Sequence, residues 1–289
     1  MLTLLLALGG CSPADTDAIR ETDAQTTDSD PGGTDPGDTD PGDSDASDTG
    51  PERSCTALGG DMVLIPVGAY FFGKTNIPSE ITQPYCIDRT EVTAADWNRC
   101  VEAGGCVGYE AWDACKTDPP SATAPNQCFP DRDTYPANWI DWERALAYCT
   151  WAGKRLPMPY EWLRAARGTD QRTYPWGNDF TCSKAHLERG PVFNTCHDAS
   201  GFPDAPVPVG SYPDGASPAG LFDMAGNLKE WVEYREDPTI PPVQGEYAIA
   251  MGGSYFDGSE YGRVYAADGM IGVGITSRQH GFRCVGAPQ

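Results

Sequence analysis

Apolar and polar positions divide the chain into three stretches. The first ten residues, Met1 to Gly10, are almost all apolar or small. They are too few to span a bilayer, which takes about 20 apolar residues, and they fit an export signal over residues 1–11. Residues 12–53 then offer almost nothing to bury; Asp35-Pro36-Gly37-Asp38 and Asp40-Pro41-Gly42-Asp43 are typical. Such a segment cannot offset the entropy of ordering, so a disordered linker is expected over 12–54. From Cys55 the pattern turns globular. The run Met62 to Gly73 is apolar, β-branched and aromatic, and it predicts a strand pair or one bent strand. Thr93 is placed to cap a helix with Asp96 as its box partner, and Trp97, Cys100 and Val101 share one face up to Gly104-Gly105. A second helix is expected from Asp141, with Ala145, Leu146 and Cys149 at helical spacing toward Gly153. A third starts at Pro159, carries Glu161, Trp162, Ala165 and Ala166, and closes at Gly168. After that the chain is rich in Gly, Pro and aromatics and allows only short strands. The whole predicts an irregular α+β domain over 55–289.

Charge sharpens this division. The net charge is −22, and residues 12–53 hold half of that excess, since thirteen Asp/Glu face two Arg there. A chain this acidic repels phosphate backbones, so nucleic acid is excluded as a partner. The aspartate repeats give no EF-hand loop, because no frame supplies both Gly at position 6 and Glu at position 12.

Cysteine usage points to the compartment. Leu8-Gly9-Gly10-Cys11 is similar to a bacterial lipobox, so Cys11 is expected to carry a lipid and to tether the chain in the cell envelope, at the outer membrane or cell surface. The other ten cysteines form an even set, and export makes disulfides their expected state. Zinc is disfavoured: there is no Cys-x-x-Cys and only three histidines.

Several phrases then occur in one order. They are Asp88-Arg89-Thr90-Glu91-Val92-Thr93, Ala147-Tyr148-Cys149 leading to Gly153-Lys154-Arg155-Leu156-Pro157, Glu161-Trp162, Tyr174-Pro175-Trp176-Gly177, Gly220-Leu221-Phe222-Asp223-Met224-Ala225-Gly226-Asn227, Glu230-Trp231, Gly252-Gly253-Ser254 and Gly281-Phe282-Arg283-Cys284. Together, over about residues 60–286, they resemble the formylglycine-generating enzyme, or sulfatase-modifying factor, family. The resemblance implies a disulfide-rich, C-type-lectin-like fold poor in regular secondary structure.

It also implies a lost activity. The family's enzyme binds copper(I) through two cysteines downstream of Gly-Gly-Ser and oxidises the cysteine of a Cys-x-Pro-x-Arg substrate. Soft thiolates suit Cu(I), and only sulfur forms the mixed disulfide with substrate. Here Asp257 and Gly262 stand at those two positions, so copper is not expected, and His186, His197 and His280 have no spacing that would give an iron triad. The expected role is a binding or scaffold module for a peptide, protein or glycan of the envelope, with Ser254, Asp257, Glu260 and Arg263 as cleft contacts. The alternative is altered chemistry, with Asp257 and Glu260 as an acid–base or metal pair, or residual oxidase activity.

The family's structural calcium maps onto Asp223 and Glu230 as carboxylates and Gly226 and Leu228 as carbonyl donors, with Lys229 departing from the usual apolar residue. A second calcium position is degraded, with His186 in place of Asn and Asp198 nearby. The resemblance pairs Cys149 with Cys284. Cys182 and Cys196 flank a local insertion and are expected to pair. For Cys55, Cys86, Cys100, Cys106, Cys115 and Cys128 fifteen connectivities stay open, with a local pair expected within 100–128.

Overall fold

The computed structural model of the chain describes residues 54–56, 59–108, 115, 124–187, 205–235 and 246–289. Cys11, the acidic linker up to residue 53, Cys196 and Asp198 lie outside the described residues.

The three expected helices form where their caps place them. Helix α1 (Ala94–Glu102) opens on Thr93, whose hydroxyl accepts from the Asp96 amide while the Asp96 carboxylate accepts from the Thr93 amide. Such a box contributes about 1 kcal/mol. Helix α2 (Trp142–Trp151) is capped by Asp141, which accepts from the Arg144 amide at 2.8 Å. Helix α3 (Pro159–Arg167) starts with proline, and Glu161 accepts from the Met158 amide and takes a bidentate bond from Arg155. Gly168, at φ 79°, ends it.

The strands are short, as expected. The run from Met62 is two strands, β1 (Met62–Ile65) and β2 (Gly68–Phe72), and they part company. β1 pairs with β4 (Tyr85–Asp88), whereas β2 folds back on β3 (Ile77–Ile81) as a separate hairpin. A second sheet has the order β7 (Ala267–Gly272), β6 (Tyr247–Met251), β5 (Lys229–Val232) and β8 (His280–Gly281). The β5–β8 pair is parallel. β9 (Val285–Gly286) returns the chain end to β4.

Aromatics fill two core clusters. Trp97, Trp142, Trp231 and Phe282 pack with α1 and α2; Trp162, Leu163, Met224 and Met251 pack with α3 and the hairpin. Two of these indoles donate across the core: Trp142 to the Val232 carbonyl and Trp231 to the Ile140 carbonyl, both at 2.8 Å. Trp151 lies outside both clusters. It is 42% exposed and covers Gly105, where a Cβ would lie 2.1 Å from its ring.

Disulfides join what regular structure leaves loose. Cys149 and Cys284 are bridged, tying α2 to the segment between β8 and β9. Cys55 pairs with Cys86, Cys100 with Cys106, and Cys115 with Cys128. Cys182 is disulfide-bonded as well.

Candidate functional site

Strand β5 organises the site because successive strand residues point to opposite faces. All four of its residues are buried. Glu230 therefore turns one way, into the core, and Lys229 turns the other way, toward the loop after Gly-Gly-Ser.

That loop begins with a tight approach. Gly252 and Gly253 have φ of 90° and 69°, and a Cβ on Gly253 would lie 2.9 Å from the Tyr261 backbone. Only glycine meets both demands. Ser254 follows, fully buried, and donates from its amide (2.9 Å) and its hydroxyl (2.5 Å) to one oxygen of Asp257. The other Asp257 oxygen lies 3.4 Å from Lys229 Nζ. Lys229 Nζ also donates to Asp268 at 2.6 Å and lies 5.5 Å from the Tyr261 ring centre. The Lys229 side chain is 8% exposed, Asp257 14% and Asp268 38%. Sequence reasoning set Lys229 against the calcium loop; the strand alternation sends it to Asp257 instead.

The electrostatics fix the protonation of this trio. Burial works to lower the Lys229 pKa, but the bond to Asp268 and the Asp257 charge outweigh it and leave it raised. Lys229 is an ammonium ion, so it cannot act as a general base. The Ser254 hydroxyl is spent on the Asp257 carboxylate and has no exposure, so it is not presented as a nucleophile. His280, opposite Lys229 across the β5–β8 pair, stacks on Trp231 at 4.6 Å. Burial, then Lys229, pushes its pKa down to about 4 against the pull of Asp268. Neither Asp268 nor His280 was singled out from sequence; each lies outside the recurrent phrases that drew attention.

At the second position, a Cβ on Gly262 would lie 2.6 Å from Leu187 Cδ1, so leucine takes the space beside it. Every described cysteine is in a disulfide. The other cleft candidates lie along the same loop. Glu260 is exposed and folds back so far that a Cβ on Gly258 would meet its carboxylate at 2.6 Å. Arg263 is engaged by the Tyr174 hydroxyl. Asp257 and Glu260 do not form a pair: the first is tied to Ser254 and Lys229, and the second faces Gly258.

On the core face, Glu230 is fully buried and receives Arg283 through two 2.6 Å bonds and the Trp162 indole at 2.7 Å. Asp223, at φ 58°, accepts from the Gly210 amide at 2.6 Å. Gly226 and Leu228 follow in the same loop and are buried. Both Glu230 oxygens are thus engaged, one by Arg283 and the other by Arg283 and Trp162. Among the described residues no three His, Cys, Asp or Glu side chains converge as a metal cage. Glu91 supplies what the sequence did not flag. It is 1% exposed, and its carboxyl meets that of Asp223 in a side-chain hydrogen bond, which needs a proton on one of the two. Burial, then the Asp223 and Glu230 charges, opposes its ionisation. At the degraded position, the His186 carbonyl accepts from the Asn227 amide and its Nε2 lies 2.9 Å from the Ala205 carbonyl.

Layout and site together define an irregular, disulfide-stapled α+β scaffold built like the formylglycine-generating enzymes. Residues 48–288 match the sulfatase-modifying factor enzyme 1-like domain, and the chain belongs to that family. The formylglycine-generating enzyme of Thermomonospora curvata is 29% identical over 82% of this chain and 97% of its own length. A bovine protein described as an inactive Cα-formylglycine-generating enzyme 2 is 32% identical over 52% of this chain and 50% of its own. Among solved structures, CarF superposes with a TM-score of 0.56 at 23% identity, covering 80% of this chain and 99% of that one. PvdO from Pseudomonas aeruginosa gives 0.58 at 20% identity, covering 79% and 94%. At those identities the likeness is one of fold.

Proposed function

We propose that the chain is a recognition module of its family, without the copper oxidase chemistry, held in the cell envelope by a lipid on Cys11. One observation carries this reading: the Lys229 ammonium lies between Asp268 and Asp257, the residue at the position of the first copper cysteine. A cation in that place repels Cu(I), and hard carboxylates do not replace soft sulfur. Support also comes from Leu187 beside Gly262 and from the bonded state of every described cysteine. A relative described as inactive gives the family a precedent.

The same loop has the makings of a contact surface. Phe256 and Tyr261 are 41% and 42% exposed, and the Arg278 guanidinium lies 5.4 Å from the Phe256 ring centre. Aromatics with an adjacent charge suit a peptide, protein or glycan ligand. The test is to incubate the chain with copper(I), dioxygen and a Cys-x-Pro-x-Arg peptide and to follow the peptide mass. No aldehyde is expected, any loss of thiol stopping at the disulfide; copper-dependent aldehyde would overturn the reading.

A further inference from the structure

A cleft of about 410 Å³ opens between the segment before β1, the entry to α1 and the end of α2, and it shares no lining residue with the Asp257 loop. Small-ligand sites occupy about 300–1,000 Å³. Tyr148 and Trp151 stand three apart on α2 and so share one face, with 5.7 Å between their ring centres. Both line the cleft, and Trp151 is the exposed one. Gly153, at φ 70°, ends α2 and turns Lys154 into the same cleft. There the Lys154 ammonium donates to Asp88 at 2.8 Å and to the Gly59 carbonyl at 3.3 Å. Helix α1 supplies Arg99, paired with Asp96 one turn back, and the segment before β1 supplies Asp61, paired with Arg89 at 2.7 Å. Glu91, which also reaches the cleft, is bonded to Asp223. Each charge on these walls therefore has its partner in place. Hydrogen-bonding capacity remains. Among the described residues the Tyr148 hydroxyl takes part in no hydrogen bond. Burial, then the Asp96 and Asp88 charges, holds its pKa well above the ordinary value, so it stays a protonated donor. Lys154 has a third N–H to give, Arg99 is well exposed, and Asp61 has a second carboxylate oxygen. Donors and acceptors thus surround one exposed aromatic ring.

We propose that this cleft binds a neutral saccharide, a mono- or disaccharide unit, whose C–H face stacks on Trp151 while its hydroxyls bond to Tyr148, Lys154, Arg99 and Asp61. The face of an indole is electron-rich and attracts weakly positive C–H groups. Hydroxyls both donate and accept, as these walls require. A neutral ligand also leaves the pairs Asp88–Lys154, Asp96–Arg99 and Asp61–Arg89 intact. A cation would meet Lys154 and Arg99, and an anion would meet Asp61 and Asp88.

The full chain, titrated with cellobiose, maltose, lactose and chitobiose, gives the test. The indole N–H resonances are followed by NMR, with Trp151→Phe identifying the Trp151 signal. At least one of these sugars is expected to shift that signal saturably. Trp151→Ala is expected to weaken binding about tenfold or more, through loss of the stacking face. Tyr148→Phe, which keeps the ring and removes only the hydroxyl, is expected to weaken it about three- to tenfold. Glucosamine and glucuronate, charged at neutral pH, are expected to bind more weakly than glucose. No shift of the Trp151 signal in the unaltered chain with any of the four disaccharides would overturn the proposal, whether or not the variants fold. A Trp151→Ala or Tyr148→Phe protein that binds as tightly as the parent would overturn it too, as would tighter binding of either charged sugar. None of these residues enters the copper assay, so the two readings fail separately.

Discussion

Replacing Cys149 and Cys284 together by alanine is expected to lower the melting temperature by about 10–15 °C. The bridge spans 135 residues, and closing a loop of that length restricts the unfolded chain by about 5 kcal/mol. In a domain of this size each kcal/mol moves the midpoint by about 2–4 °C. Both residues are also fully buried in the first core cluster, so their loss leaves space against Trp97 and Phe282. The Cys100–Cys106 bridge spans only six residues and is worth about 2 kcal/mol by the same reasoning. Thermal melts of the two paired variants decide the point: the long bridge should cost about twice the short one or more. Equal losses would mean that the fold does not depend on joining α2 to the chain end.

Lys229→Met is the second large effect. It leaves Asp257 and Asp268 without their shared cation. Breaking a fully buried pair costs about 3–5 kcal/mol, and the partial exposure of Asp268 lowers the expectation to about 2–3 kcal/mol. Adding Asp257→Asn should recover part of the loss, because the stranded charge goes with it. The variant also has a signature that a packing defect lacks. His280 is held neutral in the fold, with a pKa pushed down to about 4 from an ordinary 6.5. Its share of stability is full above pH 6.5 and is lost as pH falls from 6.5 toward 4, because the unfolded chain takes up the proton first. That share is about 3 kcal/mol. Without the Lys229 charge the His280 midpoint should rise, so the variant loses less over this range than the parent does. Melts between pH 4 and 7, with the His280 ring followed by NMR, measure both effects. An unmoved His280 midpoint would contradict the geometry.

The helices were legible because their signals are local. Thr93 with Asp96, Asp141, and Pro159 with Gly168 each act within one turn of the chain. Strand pairing was not, since β1 and β2 are nearly adjacent in sequence yet join different sheets, and their partners Tyr85–Asp88 and Ile77–Ile81 carry no mark of which strand they meet. The cleft was half legible. The missing cysteines at Asp257 and Gly262 were plain, but the direction of Lys229 was not. It follows from where β5 begins, and a shift of one residue would have sent Lys229 to the core and Glu230 to the cleft. Glu91 hid for a different reason. An acid just before a helix cap reads as a solvated residue, and only the packed core shows it shut away opposite Asp223.

The central claim is that an ammonium–carboxylate cluster stands where the family's oxidases hold copper. Competition for cuprous ion between the purified chain and a colorimetric Cu(I) chelator tests it most directly. The chelator is expected to keep its copper at every ratio of protein. Withdrawal of one copper per chain, abolished by Asp257→Ala, would contradict it.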